Sequence, residues 1–156
     1  MLGFRYLRRP FFVSLLAAFS VGCVPAAEKT DQAKPDPAQA EVRANTFIHE
    51  IIPYWQKRLQ LDDWNILVMM SRQTDLRPGT LGNIHWDSEH KTATIRVLDA
   101  ADYSIPFAAA LKDMEFTVVH ELIHLELASL PISDANRSDQ EYAINHIAEA
   151  LLQSTR

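Results

Sequence analysis

Large apolar residues recur every fourth position at Phe47, Ile51, Trp55 and Leu59, with polar and charged residues between them. Residues four apart share a helix face, so the pattern predicts a helix from about Pro37 to Gln60. Asp36 then Pro37 supplies an N-cap and a first-turn proline. Pro53, which has no N–H for the helix ladder, is expected to kink or split the helix. From Trp64 the period changes to two. Trp64 to Met70 reads as one strand, Leu81 to Trp86 as a second, and Thr92 to Leu98 as a third with Ala93, Ile95 and Val97 inward and Thr94 and Arg96 outward. Asp87 to Lys91 makes the hairpin turn between the last two strands, and Gly79 and Gly82 loosen the entry to the second. Residues 99–112 read as irregular, with Asp113 as the N-cap of the next helix. That helix carries Phe116, Val119, Ile123, Leu127 and Leu130 on one side and Val118, Leu122 and Leu125 on another, a pattern that belongs to a helix buried on most sides. Pro131 to Arg137 leads to a last helix from about Ser138 to Gln153. The order helix, three strands, helix, helix describes an α+β domain with a small, largely antiparallel sheet. Residues 41–156, about 115 in number, form a single domain.

The polar residues on the remaining arc of the buried helix are Asp113, Thr117, His120, Glu121 and His124. Buried polar groups persist where they are partnered, so these residues line a cleft. His120-Glu121-Leu122-Ile123-His124 is the HExxH motif of zinc metallopeptidases. Two neutral imidazoles four residues apart hold Zn²⁺ and leave a position open for water. The carboxylate beside them takes that water's proton as it attacks a carbonyl. A surface helix that happens to carry these three residues is the plain alternative, and its apolar surroundings argue against it. A third ligand cannot follow metzincin spacing, which needs Gly at position 127 and His at 130, because both are Leu. The last helix offers Glu141, His146 and Glu149. Its apolar stripe of Ile144, Ile147, Ala148, Leu151 and Leu152 includes Glu141 and Asn145, whereas Tyr142, His146, Glu149 and Gln153 fall opposite, towards solvent. A carboxylate on a core-facing stripe is either metal-bound or paired with an arginine or lysine. Glu141 is therefore the candidate ligand, and His146, His49 and His90 read as surface residues.

The motif followed by Glu141-x-x-x-Asn145 resembles the gluzincin clan, whose best-known members are thermolysin-like peptidases. The resemblance covers the motif helix and the last helix. It implies a zincin-like domain, similar in size to the minigluzincins, with His120, His124 and Glu141 as ligands of one Zn²⁺ and Glu121 as general base. The clan places an Asp four residues after the ligand Glu to support the first motif histidine, and here that position is Asn145. An amide oxygen still accepts the imidazole N–H and fixes its tautomer, but without charge it raises the ligand's basicity less.

The N-terminus reads as an export signal. Arg5, Arg8 and Arg9 precede an apolar run from Phe11 to Val21, which is too short for a comfortable membrane span. Ser20-Val21-Gly22-Cys23 resembles a lipobox, making residues 1–22 the signal peptide and Cys23, the only cysteine, a lipidation site. Val24-Pro25-Ala26 also fits ordinary signal cleavage. Residues 23–40 form a polar tether from the lipid anchor to the domain. The expected location is the bacterial cell envelope, facing the periplasm, with the membrane touched only through the anchor. Losing the three arginines of residues 1–22, which contain no acids, leaves twelve basic against twenty acidic residues, a net charge of −8. Such a chain is a poor nucleic-acid binder.

An oxyanion donor is also needed in a hydrolase, and Tyr103 and His85, near segment ends, are the candidates. An edge strand of the sheet can pair with an extended peptide through its backbone, though the pattern does not say which edge. The expected function is hydrolysis of peptide bonds in a peptide or protein substrate. The alternative is a zinc-binding lipoprotein without catalysis that acts as an envelope binding or assembly factor. Retention of Glu121 favours the enzyme, since metal binding alone does not require it.

Overall fold

The computed structural model describes residues 35–130 and 135–154; the expected export signal, Cys23, the first part of the expected tether and the start of the 131–137 connection lie outside the described residues. Helix α1 spans Pro37–Arg58 with Pro37 in its first turn. Asp36 holds the N-cap position, but its side chain makes no capping hydrogen bond. Ala40 is already buried, so the fold takes in the last residues assigned to the tether. Pro53 sits inside α1 without splitting it. Pro53 and His49, whose carbonyl loses its helical donor, are both exposed, and water can replace the missing bond. The deepest face of α1 is Ala40, Ala44, Ile48, Ile52 and Trp55, with Phe47, Ile51 and Leu59 partly buried beside it. Trp55 is fully buried, and its indole N–H donates to Glu115 Oε1 at 3.1 Å. The helix closes with Gln60 in the left-handed region at φ 56°. The N–H groups of Gln60 and Leu61 bond back to the carbonyls of Lys57 and Gln56 at 3.2 and 2.8 Å. This closure satisfies the last turn and aims the chain at the sheet.

Strands β1 (Asn65–Ser71), β2 (Gly82–Asp87) and β3 (Thr92–Leu98) form one sheet in the order β1-β3-β2. β2 and β3 make the expected antiparallel hairpin, with Ile84 opposite Ile95 and Trp86 opposite Ala93. Asp87 Oδ1 accepts from the N–H groups of Glu89 and His90 in the turn, at 2.9 and 3.2 Å. β1 pairs with β3 in parallel, Val68 beside Ile95, a detail that periodicity does not carry. The segment after β1 crosses to the far edge of the sheet, so β3, returning along β2, fills the gap and runs in the direction of β1. Ala93, Ile95 and Val97 face inward and are buried, with Thr94 and Arg96 on the outer face.

Helix α2 runs Phe107–Glu126, with Pro106 and not Asp113 at its N-cap. Residues 107–112 are therefore helical and not irregular: Ala108, Ala109 and Ala110 are strong helix formers, and Ala110 and Met114 are buried. The helix stops before Leu130, which is 54% exposed and leaves the apolar side shorter than expected. α2 packs against α1, β2, β3 and helix α3 (Arg137–Gln153) alike, and Met114, Val118, Val119 and Leu122 are fully buried in it. α3 has α2 as its main neighbour, so its buried stripe is narrow: Ile144 and Ala148 are buried, while Ile147, placed in the stripe by the pattern, is exposed. No helix among the described residues is long and apolar enough to cross a membrane.

At Gly82 the sheet and the motif helix come close together. A Cβ there would lie 2.5 Å from Thr117 Cγ2 and 2.7 Å from the carbonyl oxygen of Arg96. The glycine does not loosen the strand entry; it permits a contact that any side chain would push apart. Gly82→Ala is expected to cost about 1–3 kcal/mol of stability through overpacking, read as a lower urea midpoint.

Candidate metal centre

Four-residue spacing on α2 brings His120 and His124 to one face, with ring centroids 4.8 Å apart. α3 runs antiparallel beside them, as the contacts show: Glu141 meets both imidazoles, and Asn145, one turn further along α3, meets only His120. His120 Nδ1 lies 3.0 Å from Asn145 Oδ1. With Nδ1–H donating to that amide oxygen, the Nε2 lone pair of His120 points the other way. It lies 3.1 Å from His124 Nε2 and 3.3 Å from Glu141 Oε2, and His124 Nε2 lies 3.4 Å from Glu141 Oε1.

These three electron-rich groups converge, and a cation is the natural partner for them. Four ligands at about 2.0–2.1 Å in a tetrahedron sit roughly 3.3 Å from one another, close to the separations found. His120, His124 and Glu141 form a group able to hold a metal ion. Without a metal, an imidazole that takes up a proton at Nε2 becomes a donor, and hydrogen bonds of this kind from His120 first, then from His124, hold the Glu141 carboxyl down at about 2. For His124, burial opposes the charged imidazolium, but its hydrogen bond to Glu141 and the charges of Glu121 and Glu141 outweigh it, so its pKa is raised.

Glu121 follows His120 on the same turn of α2 and is buried. Burial is the main influence on its carboxyl and raises its pKa, with the two imidazoles pulling the other way. Its Oε1 is 3.5 Å from the point where a Cβ on Gly82 would stand, so the first residue of edge strand β2 abuts this carboxylate. That settles which edge of the sheet lies beside the motif. Between α2 and α3 a cavity of about 410 Å³ opens, lined by Ile105, Ala109, Phe116 and Leu152 with Lys112 and Glu149 among its polar groups. Phe116 borders both this cavity and His120, their ring centroids 6.3 Å apart.

The structure thus brings together His120, Glu121, His124, Glu141 and Asn145, all legible in the sequence. The two oxyanion candidates occupy different settings. Tyr103 is buried in the hydrophobic core at the end of the turn formed by Ala100–Asp102. His85 pairs with Thr94, and strand alternation puts it on the outer face of the sheet, away from α2. His146 is exposed and near Glu149, as expected of a surface histidine. Gly82 is the residue that sequence reasoning missed. A glycine inside a strand pattern is a signal for close backbone approach, but the pattern does not name the group approached.

Asn145→Ala is expected to weaken metal binding by roughly 10–100-fold, the usual effect of losing the group that orients a ligand imidazole. Competition with a chromophoric chelator measures it. Compared with family models, curated proteins and solved structures, the chain matches none.

Proposed function

We propose that this chain is a zinc peptidase of gluzincin type, exported to the bacterial cell envelope and anchored there through Cys23. The observation that carries this reading is the buried Glu121 carboxylate set between the His120, His124 and Glu141 group and the end of edge strand β2. Two imidazoles and a carboxylate suit zinc, which accepts mixed nitrogen and oxygen donors in a tetrahedral arrangement. Bound there, Zn²⁺ supplies a Lewis acid that polarises a carbonyl and makes water a nucleophile near neutral pH.

The chain's own residues do the rest. Asn145 holds His120 in the tautomer whose Nε2 faces the metal. An extended peptide adds to the free edge of β2 by backbone hydrogen bonds, which sets its carbonyl beside Glu121. The cavity between α2 and α3 receives a substrate side chain against Phe116. Glu121 accepts the proton of the attacking water and passes it to the leaving amine.

The test is incubation of the zinc-loaded chain with a peptide mixture, followed by identification of new amino termini. Cleavage that a chelator stops and added zinc restores supports the proposal. A fully metal-loaded chain that cleaves nothing across broad peptide and protein mixtures would move the assignment to the non-catalytic zinc-binding lipoprotein.

A further inference from the structure

The edge of the sheet remote from β2 has no part in this chemistry. β1 occupies it, and its seven residues, Asn65–Ser71, contain neither charge nor proline. Leu67 and Met69 are 54% and 45% exposed on the outer face, and Ile66, Val68 and Met70 on the inner face are only partly buried. Among the described residues, no backbone hydrogen bond reaches the strand from the side away from β3. Soluble proteins guard such edges with charges, prolines, bulges or short strands, and β1 has none of these along its length.

We propose that β1 pairs with β1 of a second copy of this chain, antiparallel about a two-fold axis at Val68, joining the two sheets edge to edge. The strand is self-complementary in that register. Val68 meets its own counterpart, Leu67 meets Met69, and Ile66 meets Met70, so apolar groups face apolar groups on both sides of the sheet. At the ends, Asn65 meets Ser71. The flanks carry opposite charges as well: Asp62 and Asp63 precede β1, and Arg72 follows it, paired with Asp102 of its own chain at 2.6 Å but with 61% of its side chain still exposed, while Asp63 lies 3.4 Å from Lys91. A two-fold axis sets the acidic end of one copy beside Arg72 of the other, as an isologous interface requires. The open edge of β2 and the metal centre lie on the far side and stay accessible.

Sedimentation velocity on the purified full chain across a concentration series tests this, in a non-ionic detergent that masks the apolar run 11–21. The wild type is expected to pass from monomer to dimer as concentration rises. Leu67→Glu/Met69→Glu places like charges opposite each other across the axis, while the second carboxylate stands beside Arg96 of its own sheet. It is expected to weaken the dimer at least tenfold without changing the thermal unfolding of the monomer. The register is checked with Leu67→Cys and Met69→Cys chains, each also Cys23→Ser: a mixture of the two is expected to form a disulfide-linked dimer under oxidation, and neither alone. A wild type that stays monomeric, a dimer undiminished by the double variant, or cross-linking in another register overturns the proposal. A monomer whose β1 amides resist hydrogen exchange does so too, because another segment of the chain then covers the edge.

Discussion

Glu121→Gln is expected to leave metal content unchanged while lowering peptide hydrolysis by roughly 10²–10⁴, the usual contribution of a positioned general base. The substitution keeps size and shape and removes only the proton-accepting carboxylate. Fold and metal should both survive it. Glu121 is not one of the three groups whose ligand atoms converge, and an amide fits the same buried space between the imidazoles and Gly82. The loss should appear in kcat, with little change in KM, since the proton is taken only as the water attacks. Simultaneous metal analysis makes the result decisive. Activity that persists with metal bound rules Glu121 out as the base. Activity and metal lost together would instead make Glu121 part of the metal site.

The site was more legible in the sequence than the fold that carries it, for a physical reason. A helix fixes which residues share a face, so His120 with His124, and Glu141 with Asn145, could be paired from spacing alone. That the two pairs meet depends on α3 lying antiparallel against α2, and the polar residues on its apolar stripe indicated which of its faces does so. The misplaced boundaries come from weak local signals. Asp113 looked like an N-cap because Asp often is one, but the alanines before it extend the helix back to Phe107. Ala40 and Ala44 are too small to mark an apolar stripe, although both are buried. Pairing direction in the sheet and the meeting of Gly82 with Thr117 and Glu121 are long-range facts. Alternation tells which face a residue takes, as it did for Ala93, Ile95 and Val97, and leaves the neighbouring strand unnamed.

The second large effect belongs to the ligands. His120→Ala and Glu141→Ala are each expected to weaken zinc binding by more than about 100-fold, beyond the range for groups that merely orient a ligand. Each leaves only two of the three converging donors, and water in place of an imidazole or carboxylate supplies neither its basicity nor its fixed position. His146→Ala, which removes an exposed imidazole, should bind zinc like the wild type and so controls for the loss of any histidine. Stability offers a readout independent of hydrolysis. Zinc at about 100 times its dissociation constant stabilises a folded state that alone binds it by about 2.7 kcal/mol. The wild type should therefore melt at a clearly higher temperature with zinc than without, and the Glu141→Ala chain should show almost no difference. Without metal, the two ligand variants part company. Glu141→Ala removes the carboxylate that balances the facing imidazoles, whereas His120→Ala also orphans Asn145, whose amide oxygen accepts from that ring; its metal-free form should therefore be the less stable of the two. Zinc retained at wild-type affinity in both variants would leave the convergence of His120, His124 and Glu141 as an ion-paired helix contact, and the peptidase reading would go with it.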